Sequence, residues 1–266
     1  MVSVTVGFVL LAVLLVDVLR KGLPYLDPLL FQNVASVNPD KAGARPAILG
    51  TIYLMALLIV MVVPLGVGTA LYLEEYADRS RWYNRLLEVN IQNLAAVPSI
   101  VYGILGLAFI VRGPIGLGFV LLSGALILTL LVLPIVIVSA REGIRAVPGS
   151  IRQGAYALGA TQWQVIWRQV LPAAMPGIAT GSILALARAI GETAPLLLVG
   201  ALTYVPFDPE LFGRFTALPV QIYQWISLPR DEFRNLAAAA IIVLLAILLT
   251  MNALAVWLRN RFQRRW

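Results

Sequence analysis

The 266-residue sequence contains neither cysteine nor histidine. Their absence excludes thiol nucleophiles, Ser-His and Cys-His dyads, zinc sites of the usual kind, haem attachment and disulfide frameworks. Charge is scarce as well: Asp, Glu, Lys and Arg make up 12% of the residues, about half the share of a typical soluble domain. No segment has the form G-x-x-x-x-G-K-[ST], so the chain is not expected to hydrolyse nucleotides by itself. No catalytic residue and no metal ligand set is expected in it.

What fills the sequence is apolar: 60% of it is hydrophobic. A soluble fold could not cover that much apolar surface with so few charges, whereas a bilayer requires it. Runs over 3–19, 48–73, 91–111, 117–139, 174–200 and 236–258 predict about six helical spans, each of about 20 residues. The fold class is therefore all-α, a polytopic helical bundle forming one transmembrane domain over 1–266. It carries long loops at 141–172 and 201–235. The first run holds Asp17 and lacks a basic segment before it and a small-residue cleavage site after it, so it reads as an uncleaved span. A preceding N-terminal stretch is expected to be missing or very short.

The net charge of +7 is spread singly over loops and the C-terminus, which suits lipid headgroups and not nucleic acid. With both termini cytosolic, eleven arginines lie on the inner side: Arg79, Arg81, Arg85, Arg141, Arg145, Arg152, Arg168, Arg259, Arg261, Arg264 and Arg265. Eight basic residues lie outside. The positive-inside rule favours this orientation.

The spans are rich in helix-perturbing residues: Pro64, Gly66 and Gly68; Pro98 and Gly103; Pro134; Pro176, Gly177 and Gly181; and Pro195. Pro98 and Pro195 are read as helix kinks, and Gly177-x-x-x-Gly181 as a small-residue face for close helix contact. Ordinary membrane packing accounts for any one of them. Together they fit a bundle that opens and closes.

Residues 141–172, REGIRAVPGSIRQGAYALGATQWQVIWRQVLP, predict two short helices. Ser150 and Gln153 form a capping-box pattern that starts the first, with Ile151, Ala155 and Leu158 on one face and Gly159 as its stop. Thr161 and Gln164 repeat the pattern and start the second, with Trp163, Ile166, Trp167 and Val170 as its stripe, ended by Leu171-Pro172. One reading is an interfacial helix lying in the headgroups. The other is a rigid knob seated in a groove of a soluble partner, and the glycine corner favours it.

The segment Gln153-Gly154-Ala155-x-x-x-Gly159, followed by Leu171-Pro172, resembles the EAA loop of type I ABC importer permeases, roughly E-A-A-x3-G-x9-I-x-L-P. Gln153, Gly154 and Gln169 depart from that pattern, and the spacing is intact. The stretch from Asn93 to Gly103, the stretch from Arg188 to Leu197 and the stretch from Pro219 to Trp225 are similar to segments of phosphate importer permeases. These resemblances cover about 45–260. They imply a bacterial inner-membrane permease subunit working by alternating access. Its implied partners are a homologous permease subunit (PstC-like), two copies of a cytosolic ATPase (PstB-like) and a periplasmic phosphate-binding protein (PstS-like). ATP and magnesium would be bound by the ATPase, with no cofactor in this chain. The loop 141–172, with Ser150, Gln153, Gly154, Ala155, Gly159, Thr161, Trp163 and Trp167, would be where the ATPase docks, and the outer loop 201–235 would receive the binding protein. A permease for sulfate, molybdate or an amino acid, or a secondary transporter needing no motor, are the rival readings.

Arg188 and Glu192 lie in the fifth apolar run, four residues apart and so expected on one helical face. Each costs about 2.5–3.5 kcal/mol at a helix centre unless paired or wetted. They are either an ion pair between helices or part of the anion route, where the Arg188 guanidinium holds two phosphate oxygens in a fork. Asn93, Ser99 and Tyr102 are further pathway candidates.

Overall fold

The computed structural model describes residues 2–78, 80–201 and 204–262. Arg79, Arg264 and Arg265, three of the arginines placed on the inner side, lie outside the described residues. Among the described residues the structure is helical, with one isolated bridge between Ala201 and Phe215. In chain order the helices are α1 (Val2–Gly22), α2 (Pro28–Gln32), α3 (Arg45–Leu71), α4 (Trp82–Ala95), α5 (Ser99–Gly106) and α6 (Leu121–Arg145). Then come α7 (Gly149–Ala157), α8 (Gln162–Val165), α9 (Leu171–Ile190), α10 (Ala194–Leu198), α11 (Leu218–Ser227) and α12 (Asp231–Phe262).

Among the described residues five stretches are long and apolar enough to cross a membrane: Val2–Tyr25, Arg45–Tyr76, Leu121–Arg145, Gln162–Ile190 and Asp231–Arg261. A sixth exists if the bent pair Trp82–Ala95 and Ser99–Val111 counts as one span. The third expected span, 91–111, is therefore not a straight helix. The chain turns by 106° between α4 and α5. Pro98 sits in that break, where it has no N–H to continue α4 and disfavours the helical region for Val97. The fifth span also differs from its expected limits of 174–200. It starts at Gln162 and ends at Ile190. Leu171-Pro172 does not end α8, because a π-helical turn over Ile166–Val170 joins α8 to α9, with Leu171 N–H bonded to the Ile166 carbonyl. That shift of bonding leaves Pro172 in the first turn of α9, where its missing N–H costs nothing.

The chain falls into two compact units. The first comprises Met1–Leu54, Gly106–Gly124 and Glu192–Leu249. Its core gathers Leu30, Ala47, Leu218, Trp225, Phe233 and Ala240 from α2, α3, α11 and α12. Small residues let the backbones approach. A methyl on Gly22 would meet the Ala238 carbonyl carbon at 2.7 Å, so α1 touches α12 only at its C-terminal end while its residues from Val2 to Val16 stay exposed. Asp17, the charge inside the first apolar run, is paired with Lys21 at 2.8 Å one turn on. Thr51 Oγ1 accepts from the Leu218 N–H at 2.8 Å, and Arg45 pairs with Asp208 at 2.5 Å, fastening Asp208 and Leu218 to α3.

The second unit comprises Met55–Leu105, Ala125–Gly191 and Thr250–Trp266. Its core packs Ala70, Ala140, Ile144, Val165, Val170 and Ile178, with Ile151 and Ala155 against it. α6 and α9 meet backbone to backbone. A methyl on Gly177 would lie 2.9 Å from Gly143 Cα, and one on Gly181 would overlap Ser139 Cβ. The Gly177-x-x-x-Gly181 face is thus used against α6. Beyond α3 the Asp78 carboxylate accepts from the Ser80 hydroxyl at 2.7 Å and its N–H at 2.9 Å. Those bonds, with Arg81 beside them, hold its pKa below the usual carboxylate value.

Candidate functional site

The loop 141–172 folds as a bent pair of helices, and its corner is built from local sequence. α7 ends in a left-handed Gly159 with φ +79°. The Gly159 N–H bonds to the Tyr156 carbonyl at 2.9 Å and the Ala160 N–H to the Ala155 carbonyl at 3.2 Å, the two bonds of a Schellman cap. Thr161 caps α8, and its capping box with Gln164 is complete, at 2.9 and 3.4 Å. The capping box expected at Ser150 is not formed. The N-cap is Pro148, and the Ile151 N–H bonds back to the Pro148 carbonyl at 3.2 Å. Ser150 is thereby inside the first helical turn, past the position from which its hydroxyl could cap.

The faces also divide differently from the expected stripes. Ile166 and Val170 are buried, together with Val165, whereas Trp163 and Trp167 point outward and pack on each other with ring centroids 5.2 Å apart. Leu158, expected on the inner face of α7, is 90% exposed at the corner. Gln153, Gly154 and Tyr156 are exposed beside it, and Ala155 is half-buried. A methyl on Gly154 or Gly159 would meet nothing within 4 Å, so only backbone effects act there. Gly154→Ala is therefore expected to stabilise α7 by about 0.5–1 kcal/mol. Gly159→Ala is expected to cost about 1–2 kcal/mol, because its φ is left-handed. Opposite shifts of the thermal unfolding midpoint in detergent check the pair.

What holds this loop is a network that the sequence reading passed over. Glu74 and Glu75 follow α3 on a π-helical turn, Tyr72–Tyr76. Arg141 on α6 donates to Glu74 at 2.7 Å and to Glu88 on α4 at 2.5 Å, and Arg145 pairs with Glu74 at 2.9 Å. Arg152 on α7 donates to Glu75 from Nη2 at 2.8 Å and Nε at 3.2 Å. It also reaches the carbonyls of Val147 at 2.7 Å and Ile144 at 3.0 Å. Gln162 on α8 donates to the Glu75 carbonyl at 2.5 Å. In the sequence these arginines read only as topology markers. The available signal was a Glu-Glu pair ending one apolar run and arginines at i, i+4 ending another.

The expected pathway residues divide. Tyr102, on α5, is buried and its hydroxyl donates to the Leu94 carbonyl at 2.8 Å. This bond ties α5 back to one of the last carbonyls of α4, which lack helical partners, and so braces the 106° bend. Arg188 lies in the last turn of α9 and is exposed on the single chain. Asn93 is exposed and Ser99 half-buried on either side of the bend. Glu192 does not share a helical face with Arg188. α9 ends at Ile190, and Gly191 N–H bonds back to the Arg188 and Ala189 carbonyls. Pro195 has no N–H to offer the Gly191 carbonyl, so the helix stops before it. Pro195 then serves in the first turn of α10 and does not kink a continuous span. A groove of about 620 Å³ in the second unit is walled by Val63, Val67, Met175 and Leu186, with Arg259 at one end. Its apolar lining would leave an anion's charge unsolvated.

A polytopic helical bundle with a broken span and a stiff loop clamped to it by ion pairs has the build of the membrane-embedded half of a transporter. The chain belongs to the family described as binding-protein-dependent transport system inner membrane component, whose pattern matches residues 62–266. It is similar to "Phosphate transport system permease protein PstA" of Xylella fastidiosa (strain Temecula1 / ATCC 700964), 36% identical over 91% of this chain and 84% of that one. It is 35% identical to PstA 1 of Mycobacterium tuberculosis (strain CDC 1551 / Oshkosh), over 88% of this chain and 76% of the relative. Among solved structures it is similar to the inward-facing MetNI methionine ABC transporter, with TM-score 0.64, 16% identity, and 82% and 94% of the two chains covered. It is also similar to a bacterial alginate ABC transporter in complex with an alginate pentasaccharide-bound periplasmic protein, with TM-score 0.61, 17% identity, and 79% and 76% covered. At such identities the likeness establishes the fold, that of ABC importer permeases.

Proposed function

We propose that this chain is a permease subunit of an ATP-driven importer of inorganic phosphate in the bacterial inner membrane, with both termini on the cytosolic side. The observation that carries the cargo is the similarity to phosphate transport permeases along 91% of the chain. A homologous permease (PstC-like) would complete the pathway, and a periplasmic phosphate-binding protein (PstS-like) would deliver the anion to the 201–235 surface. A dimeric cytosolic ATPase (PstB-like) would bind ATP and magnesium and seat the exposed corner around Leu158. Gln153 stands where the resembling loops have a carboxylate, so apolar contact from Leu158, Tyr156 and Trp163 would contribute more to docking here than charge does. Alternating access would follow from motion of the loop passed to α9, with which α8 is continuous.

Arg188 is the residue proposed to meet the anion. It sits exposed in the last turn of α9, where a guanidinium can hold two phosphate oxygens at once. The test is ATP-driven uptake of radiolabelled phosphate by the reconstituted complex. Arg188→Gln is expected to lower uptake by at least about tenfold, the scale of one lost charge-assisted bond, while the ATPase still co-purifies. Uptake of another solute with phosphate unable to compete would refute the cargo. Transport persisting without an ATPase would refute the class.

A further inference from the structure

We infer that Arg152 and Gln162 clamp Glu75 to form a strut, separate from the covalent connection to α9, through which the bent loop moves the end of α3. The inference rests on the reading of the loop as the place where an ATPase acts, and it assigns positioning roles to residues outside the docking surface.

The geometry is specific. The loop has two arms, α7 and α8, meeting at Gly159. From the first arm Arg152 grips the Glu75 carboxylate with two nitrogens, at 2.8 and 3.2 Å. From the second arm Gln162 grips the Glu75 backbone carbonyl at 2.5 Å. Both sides of the corner therefore close on one residue, and that residue belongs to the end of α3. The same guanidinium reaches the carbonyls of Ile144 and Val147 at 3.0 and 2.7 Å, groups at the C-terminal end of α6 that need donors. One side chain thus joins α7 to α3 and α6.

Burial makes the Arg152–Glu75 pair firm. The Glu75 side chain is 8% exposed and that of Arg152 21%, so solvent screens the pair far less than an exposed one. If the loop were only an interfacial helix, its arginine would gain most by turning outward to lipid phosphates. Arg152 turns inward instead. The π-helical turn supports the arrangement, with the Ala77 N–H bonded to the Tyr72 carbonyl at 2.8 Å. Such turns recur at functional positions. Here the turn lets two consecutive carboxylates serve different elements, Glu74 facing α6 and Glu75 facing the loop. A displacement of the corner is passed to α3 at Glu75, and from there through Glu74 and Arg141 to Glu88 on α4, so α4 moves with α3.

The experiment uses the full transporter in proteoliposomes and reads phosphate imported per ATP hydrolysed. Arg152→Gln and Glu75→Gln are each expected to lower that ratio by at least about tenfold, with the ATPase still bound and hydrolysis continuing. Arg152→Lys, which keeps the charge but loses the forked grip on Glu75, is expected to recover only part of the ratio. A purely structural role would show instead as parallel loss of assembly, hydrolysis and uptake, with an unchanged ratio in whatever complex survives, and that overturns the strut. An unchanged ratio in well-assembled Arg152→Gln overturns it as well. Failure of the unaltered complex to couple hydrolysis to uptake would count against the proposed function itself.

Discussion

Arg141→Gln is expected to destabilise the chain by about 3–5 kcal/mol, the scale for removing one partner from a buried ion pair. Arg141 lies between two carboxylates, 2.7 Å from Glu74 and 2.5 Å from Glu88, with 6% of its side chain exposed and 3% of that of Glu74. Without it, Glu74 keeps Arg145, which is 39% exposed and 2.9 Å away, so solvent weakens the remaining attraction. The buried carboxylate must then stay charged in an apolar setting or take up a proton, and either route costs free energy. A lower unfolding midpoint and a poorer yield of the purified complex are the readouts. Adding Glu74→Gln should recover most of the loss, since a neutral amide does not carry the desolvation cost of an ion. An unchanged midpoint for Arg141→Gln would mean that the network is not holding α3, α4 and α6 together.

Gly181→Leu should separate α6 from α9 at a cost of about 3 kcal/mol or more, because overpacking here meets the Ser139 Cβ, which can move only with its backbone. Even a methyl group on Gly181 would overlap Ser139 Cβ and come within 2.6 Å of its hydroxyl oxygen. One turn earlier, a methyl on Gly177 would lie 2.9 Å from Gly143 Cα. Two helices in lipid associate by close packing, since lipid tails are as apolar as leucine and supply no hydrophobic drive. Losing this contact would leave little to replace it. Thermal unfolding and protease sensitivity of the loop after α6 measure the effect. Ser139→Gly added to Gly181→Ala should restore stability, and failure to do so would place the defect elsewhere.

The features that depend on a few neighbouring residues were legible in the sequence. Gly159 as a helix stop, the Thr161–Gln164 box and the small-residue face at Gly177 and Gly181 follow from local backbone chemistry. Ser150 misled because Pro148 also opens a helix, and a cap two residues earlier leaves the serine inside. The tryptophans misled because a large amphipathic ring satisfies an apolar stripe equally well on either side of a helix. Only the packing of Val165, Ile166 and Val170 decides which side is the core. The ends of the third and fifth spans were misplaced because hydropathy runs through Pro98 and Gly191 without a break, whereas the backbone hydrogen bonds do not.

From its composition and spacing alone the sequence determined that this is a helical membrane bundle carrying a bent loop with a glycine corner. Apolar length, the lack of histidine and cysteine, and the absence of a phosphate loop are properties of the chain itself, so no folding is needed to read them. The tertiary structure alone decided what that loop is fastened to. Glu75 and Arg152 are 77 residues apart, and Glu74 and Arg141 are 67 apart. No local rule pairs charges over such separations. They meet because the packing of α3, α4 and α6 leaves each buried carboxylate with an arginine as its partner.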